Sequence, residues 1–154
     1  MSTDRKSSIS LPPVEQIGII VKDVEKTVEY YEKVLGWGPF NISEVSLEGC
    51  LYRGKSTDVR LKMAFAQSGP IEIELIEVLE GESIHSEFLR ERGEGIQHVR
   101  FTVNNLDEIL AEWAKEGIEP VWQHSYPEAG ISWAYVNTDQ VGGVMTELFE
   151  IKPV

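Results

Sequence analysis

Two stretches of the chain repeat one pattern, and this repeat constrains the fold more than any other feature. When Ile17 is aligned with Val99, both stretches show alternating apolar residues, as in a strand with one buried face. Each strand is followed by a polar residue suited to begin a helix, Asp23 in the first half and Asn105 in the second. The chain is therefore one module written twice.

Polar residues occupy equivalent positions in the two copies. Gln16 aligns with His98, and Glu74 aligns with Glu147 at the start of the closing motifs. If the two modules pack about a pseudo-twofold axis, equivalent positions meet near that axis. The repeat therefore predicts a single cluster that resembles a metal site. Its members are Gln16, Glu74, His98 and Glu147, and the motifs are Glu74-Leu75-Ile76-Glu77 and Glu147-Leu148-Phe149-Glu150.

The hydrophobic pattern predicts the order strand, helix and three strands in each module. Module one covers residues 14–80, a connecting helix falls within residues 81–94, and module two covers residues 95–151. Residues 1–13 are predicted to be a flexible N-terminal tail. The predicted fold class is α+β, a single domain over residues 14–151 in which two tandem βαβββ modules form a curved mixed sheet around a central cleft.

Local signals add detail to both modules. Asp23 is expected to cap the first helix, and Asn105 with Glu108 is expected to form a variant of the capping box at the helix of module two. Period-two alternation places His98 and Arg100 on the same face of the first strand of module two, opposite the face of Val99. His85 and His124 are predicted to be surface or second-layer residues and not ligands.

Composition excludes several classes of function. At 154 residues the chain is one domain of ordinary size. Its formal net charge of −12 argues against a nucleic-acid partner, which needs a basic surface. The lone Cys50 excludes an internal disulfide framework and suits a reducing compartment. No apolar run has the length of a signal peptide or membrane span, so we expect a cytoplasmic protein without a membrane partner.

The order and spacing of the motifs resemble the vicinal oxygen chelate superfamily, which includes glyoxalase I, methylmalonyl-CoA epimerase, extradiol dioxygenases and bleomycin-resistance proteins. The resemblance covers residues 14–151, and the amino-acid sequence is most similar to that of methylmalonyl-CoA epimerase. Four segments carry the likeness: Ile17-Gly18-Ile19-Ile20-Val21-Lys22-Asp23-Val24-Glu25, Glu74-Leu75-Ile76, Phe88-Leu89 followed by Gly95-Ile96-Gln97-His98-Val99, and Gly142-Gly143-Val144 leading to Glu147-Leu148.

The resemblance implies a metal site at Gln16, Glu74, His98 and Glu147, where the strand-borne ligands of the superfamily stand. Gln16 departs from the epimerases, which usually have His at this position, but a Gln, Glu, His, Glu set is similar to the zinc site of some glyoxalases I. These donors suit one divalent ion, Zn, Co, Ni or Mn. The Arg with which glyoxalase I binds glutathione would fall at Ile20.

Such a site implies enolate chemistry on a small carbonyl or thioester substrate. Glu147 is predicted to be both ligand and base, with Glu74 as its counterpart. The function expected first is a metal-dependent epimerase, isomerase or lyase similar to methylmalonyl-CoA epimerase, working as a homodimer because exposed sheet edges need a partner. The alternatives are a glyoxalase I-like lactoylglutathione lyase and a non-catalytic binding protein of the bleomycin-resistance type, whose aromatic cleft Trp122, Tyr126, Trp133 and Tyr135 could line.

Overall fold

A computed structural model describes residues 7–154, which form eight β-strands and three α-helices. Short 3₁₀ turns at Pro127–Ala129 and Thr138–Gln140 separate the last three strands. The elements are, in chain order, β1 (Gln16–Ile20), α1 (Val24–Lys33), β2 (Asn41–Tyr52), β3 (Lys55–Ser68), β4 (Ile71–Glu80), α2 (Ile84–Arg92), β5 (Gly95–Thr102), α3 (Leu106–Ala114), β6 (Pro120–Tyr126), β7 (Ile131–Val136) and β8 (Met145–Ile151). The predicted pair of βαβββ modules with a connecting helix is confirmed.

The strands form one mixed sheet that closes into a barrel in the order β1-β4-β3-β2-β6-β7-β8-β5. Within each module the first and last strands run parallel, β1 beside β4 and β5 beside β8. The antiparallel pair β1 and β5 joins the modules on one side. On the other side β2 meets β6 only at Leu51 and Tyr52, so within the described chain most of β2 is paired on one side alone.

The helices cover the barrel on the outside and at one end. Val24 and Val28 of α1 pack against the outer faces of β3 and β4, and Leu106 and Ile109 of α3 pack against Leu148 and its neighbours in module two. Ile84 of α2 joins the apolar core that fills one end of the barrel. None of the helices among residues 7–154 is both long enough and apolar enough to span a membrane.

Part of the predicted tail is attached to the domain. Met1 to Lys6 lie outside the described residues, but Ile9 and Leu11 pack on the apolar cluster between α3 and β8. Burial of these two apolar side chains holds residues 9–11 in place. Flexibility is therefore not a property of the whole stretch 1–13.

Both module helices are capped, but not as the sequence predicted in module two. The Asp23 side chain accepts from the Lys26 N–H at 3.0 Å, as expected. The side chain of Asn105 makes no capping bond, so the predicted capping box is wrong. Instead the Glu150 carboxylate accepts from the Leu106 N–H at 3.0 Å, because β8 carries this carboxylate to the start of α3.

Candidate metal centre

The four predicted ligands lie on the four strands where the modules meet. Gln16 is on β1, Glu74 on β4, His98 on β5 and Glu147 on β8. Gly18 of β1 stands opposite both Glu74 and His98 in the sheet register, which sets these side chains at one level of the barrel. All four point into the barrel and are buried. The prediction that the repeat brings equivalent positions together is therefore supported by the geometry.

Three oxygen atoms surround one nitrogen of His98. Its Nε2 lies 3.2 Å from Oε1 of Gln16, 3.2 Å from Oε2 of Glu147 and 3.5 Å from Oε1 of Glu74. The two carboxylate oxygens are buried and accept no hydrogen bond from any residue between 7 and 154. Two unpaired carboxylate oxygens in a buried site are costly unless a cation compensates them.

The orientation of the Gln16 amide follows from its neighbours. Its Nε2 donates to Oε1 of Glu72 at 2.7 Å and to Oε2 of Glu74 at 3.3 Å. Because the NH₂ group donates to these two carboxyl groups, the amide oxygen faces His98. Gln16 is thus held with its amide oxygen, a candidate ligand atom, toward the cluster.

The donor set fits a divalent ion. Two donors at right angles on an ion about 2.1 Å from each lie about 3.0 Å apart, close to the separations found around Nε2. Imidazole, amide and carboxylate groups are ligands of Zn, Co, Ni and Mn. Among residues 7–154, no three His, Cys, Asp or Glu side chains by themselves form a group that could hold an ion, so the candidate set needs the amide oxygen of Gln16 as well.

Charges in and around the cluster shift its proton equilibria. Burial, and next the neighbouring Glu147 carboxylate, raises the pKa of Glu74 well above its ordinary value. The same two causes raise the pKa of Tyr135, whose ring packs edge-on against His98 at a centroid distance of 4.8 Å. Tyr135 therefore keeps its hydroxyl proton and can donate a hydrogen bond beside the carboxylates.

Three partly exposed charged residues lie beside the cluster. Arg100 pairs with Glu15 at 2.8 Å and lies 3.7 Å from Glu72, and these side chains are 21%, 35% and 33% exposed. The opposite side is closed by the apolar core around Ile20 and Ile84. On this side of the cluster one guanidinium lies between two carboxylates.

Two depressions on the outer surface, each of about 550 Å³, contain none of the four candidate ligands. One lies beside α1 and is lined by Lys22, Lys26 and Glu94. The other lies beside α3 and is lined by His124 and Trp133. Neither depression is therefore part of the candidate metal centre.

The remaining histidines and aromatic residues take different positions. His85 is a second-layer residue, 2% exposed, and burial lowers its pKa to about 3, so it is a neutral ring. His124 is half-buried and contacts the rings of Tyr126 and Trp133. The aromatic residues Trp122 and Tyr135 are core residues. They therefore do not line an open aromatic cleft.

One site residue could not be found from sequence periodicity. Gln97 points into the barrel beside His98 because the pairing of β1 and β5 shifts between Gly18 and Ile19, leaving Gln97 as an extra residue in β5. Period-two alternation places Gln97 on the outer face, and β-bulges of this kind break that alternation. The one sequence signal that could have indicated Gln97 is that a polar residue stands next to a candidate ligand.

Comparison with known proteins finds a matching family profile and a similar bacterial sequence. The sequence profile of the Glyoxalase/Bleomycin resistance protein/Dioxygenase superfamily matches residues 15–135. An uncharacterized protein of Bacillus subtilis (strain 168), YqjC, is 28% identical over 142 residues, which cover 90% of this chain and 92% of that protein.

Solved structures share the architecture. A hypothetical protein from Bacillus halodurans C-125 superposes with a TM-score of 0.65 at 25% identity, covering 92% of this chain and 96% of the other. Methylmalonyl-CoA epimerase from Mycobacterium tuberculosis gives 0.64 at 22% identity, covering 97% and 95%. A Streptomyces coelicolor methylmalonyl-CoA epimerase in complex with 2-nitronate-propionyl-CoA gives 0.63 at 23%, covering 94% and 98%. At identities of 22% and 23%, the similarity to the epimerases establishes the fold.

Proposed function

Because the chain belongs to the glyoxalase/bleomycin resistance protein/dioxygenase superfamily, we propose that it is a divalent-metal-dependent epimerase, isomerase or lyase. Its substrate would be a small carbonyl or thioester compound whose α-proton is acidic enough to leave as an enolate forms. The nearest known activity is that of methylmalonyl-CoA epimerase, whose solved structures share this fold. The metal would be held by Gln16, Glu74, His98 and Glu147.

One observation carries the proposal. The oxygen atoms of Gln16, Glu74 and Glu147 converge on Nε2 of His98 at 3.2 to 3.5 Å, with both carboxylate oxygens unpaired. A ring nitrogen and three oxygens at such distances repel one another unless a proton or a metal ion lies among them. A divalent ion satisfies all four groups at once, whereas a proton on Nε2 can point at only one of the three oxygens.

The chain's own residues would bind the substrate and move its proton. When bound, a divalent ion supplies Lewis-acid stabilisation of the negative charge on the substrate oxygen. Glu147 accepts the α-proton, and Glu74, on the equivalent strand of the other module, is positioned to return a proton. Arg100, which lies beside the cluster and pairs with Glu15, would orient an anionic substrate group.

Two structural observations weigh against the alternative functions. Ile20, which stands where glyoxalase I carries its glutathione-binding Arg, is fully buried in the barrel core and reaches no carrier. Trp122 and Tyr135 are buried in that core as well, which removes half of the aromatic cleft expected of a bleomycin-resistance type binder. These observations favour an enolate-forming enzyme without a glutathione carrier.

Proton exchange with solvent tests the proposed chemistry. The protein, loaded separately with Zn, Co, Ni or Mn, is incubated in D₂O with acyl-CoA thioesters and with small 2-oxo and 2-hydroxycarbonyl compounds, and α-deuteration is followed by NMR. The proposal predicts metal-dependent exchange on at least one substrate class, lost by about 10²-fold or more in Glu147→Gln. Glu91→Gln, the same change on the exposed face of α2, should leave the rate unchanged.

Absence of exchange with every metal and both substrate classes would contradict enolate chemistry. Exchange that survives in Glu147→Gln at the wild-type rate would contradict the role given to this carboxylate. In that case the Glu74→Gln variant would show whether its counterpart is the base. Glutathione hemithioacetals are incubated in parallel, and exchange on these compounds alone would favour the glyoxalase I-like lyase.

A further inference from the structure

Gln97 connects two buried histidines through a single oxygen atom. Its Oε1 lies 3.0 Å from Nδ1 of His98 and 2.9 Å from Nδ1 of His85. Its amide nitrogen donates to the carbonyl oxygen of Ile84 at 3.2 Å. The side chains of His85, Gln97 and His98 are at most 2% exposed, so water does not compete for these bonds.

Gln97 reaches this position because the pairing between β1 and β5 is irregular. Gly18 pairs with His98, but the next residue of β1, Ile19, pairs with Ile96, so Gln97 has no partner in the ladder. This bulge turns two consecutive side chains, Gln97 and His98, into the barrel, which a regular strand cannot do. Bulges are common next to active sites because they re-aim a side chain.

The hydrogen bonds determine where the protons lie. Since the NH₂ group of Gln97 is used by the carbonyl of Ile84, its oxygen must be the atom that faces both rings. An amide oxygen has two lone pairs and only accepts, so both Nδ1 atoms must carry hydrogen. A single ring proton held on Nδ1 of His98 leaves the lone pair of Nε2 facing the three oxygens of the cluster.

We propose that Gln97 is a positioning residue that keeps the proton of His98 on Nδ1 and so leaves Nε2 free to bind a cation. His85, on α2, holds Gln97 in place. The His85 ring packs edge-on against Tyr135 and Trp122, at ring-centroid distances of 5.5 Å and 6.1 Å. The cation is the divalent ion of the proposed function, on which this part of the inference rests. The proton position on His98 is a property of the metal-free protein and does not rest on it.

The first test needs no variant. In metal-free wild-type protein labelled with ¹⁵N, long-range correlation spectra of the imidazole rings distinguish a protonated nitrogen from a bare one. The inference predicts that Nδ1 of His98 and Nδ1 of His85 are both protonated. A bare Nδ1 on His98, with its hydrogen on Nε2, would overturn it whether or not the protein binds metal.

The second test measures metal affinity by competition with a chromophoric chelator. Gln97→Leu should weaken Zn binding about 10- to 100-fold, as for other groups that orient a ligating His. Gln97→Glu keeps an oxygen that both rings can donate to and should retain wild-type affinity within about threefold, or exceed it. Gln140→Leu, the same change at an exposed site between β7 and β8, is the matched control and should have no effect.

The outcomes separate the two proposals. Equal Zn affinity in wild type and Gln97→Leu, with the His98 proton on Nδ1 in both, would overturn the role of Gln97 while leaving the metal site intact. A wild-type protein that binds no metal, but has its His98 proton on Nδ1 and loses that preference in Gln97→Leu, would support the role of Gln97 and contradict the proposed function. Circular dichroism of each variant confirms that it is folded before either comparison is made.

Discussion

The α-carbon of Gly18 lies directly against the imidazole ring of His98. A Cβ built on Gly18 would lie 1.9 Å from Cε1 and 2.3 Å from Nδ1 of His98, closer than real Cβ atoms come to any neighbour. Gly18 has no unusual backbone conformation that would require glycine. This position therefore needs glycine for space, and the space is filled by the ring that carries the central candidate ligand.

Gly18→Ala should therefore displace the His98 ring. The added methyl group forces either the ring or β1 to move, and overpacking of this kind costs about 1–3 kcal/mol of unfolding free energy. Because Nε2 is shifted from the three oxygens, we also expect Zn affinity to fall by at least about tenfold. Urea denaturation and chelator competition measure the two effects separately.

A double-variant cycle isolates the contact as the cause. In a His98→Ala background the ring is absent, so Gly18→Ala should then change the unfolding free energy by less than about 0.5 kcal/mol. An equal loss of stability in both backgrounds would show that Gly18 is required for another reason.

Carboxylates at equivalent positions of the two modules stabilise the module helices. Glu77 accepts from the Val24 N–H at 2.8 Å and Glu150 from the Leu106 N–H at 3.0 Å, each three residues after a candidate ligand. Glu150→Ala leaves a buried N–H unpaired, so we expect a loss of about 1–3 kcal/mol in unfolding free energy. Glu77→Ala, at a less buried site, should cost about 0.5–2 kcal/mol.

Asn105→Ala is the control for this comparison. The Asn105 side chain occupies the N-cap position of α3 but caps no backbone group, so its removal should change stability by less than about 0.5 kcal/mol. A larger effect from Asn105→Ala than from Glu150→Ala would contradict the capping assignment.

Stability should depend on pH through His85. Its pKa in the folded protein is about 3 because of burial, against 6.5 for the free side chain. Between these pH values the unfolded chain therefore binds one more proton than the folded protein. The stabilisation from His85 is complete above pH 6.5 and is lost as the pH falls toward 3. At pH 5 the loss is about 2 kcal/mol relative to pH 8.

The measurement compares wild type with His85→Phe, which keeps a ring against Trp122 and Tyr135 but does not titrate. The unfolding free energy of wild type should fall by about 2 kcal/mol more than that of the variant between pH 8 and pH 5. Parallel pH profiles of the unfolding free energy for the two proteins would show that folding does not lower the pKa of His85.

The sequence predicted what depends on repetition and missed what depends on local irregularity. Alignment of the two halves was enough to place Gln16 with His98 and Glu74 with Glu147, because related modules put equivalent positions at their common junction. Gln97 escaped because the bulge in β5 breaks the two-residue period on which the assignment of strand faces depends.

The caps show a second limit of local patterns. Asp23 was predicted correctly because its capping bond is made within three residues of sequence. The cap of α3 comes from Glu150, 44 residues away, and becomes visible only when β8 is placed beside the start of that helix. Local sequence offered Asn105 and Glu108 instead, whose side chains bond to each other at 3.4 Å.

Closure of the barrel through β2 and β6 bears on the expected homodimer. That expectation was based on exposed sheet edges. Within the described chain, residues Asn41 to Cys50 of β2 pair with β3 on one side and with no strand on the other. A homodimer through this edge stays a prediction. Sedimentation equilibrium would give the mass of two chains if it is correct and of one chain if it is not.

The metal content of the purified protein tests the central claim most directly. Protein prepared without a histidine tag is analysed for metal per chain, beside a His98→Ala, Glu147→Gln double variant that is shown to be folded. Near one equivalent of a divalent metal in wild type and none in the variant is the predicted result. No metal in wild type, even after incubation with Zn, Co, Ni or Mn, would contradict the metal site and with it the proposed enzyme.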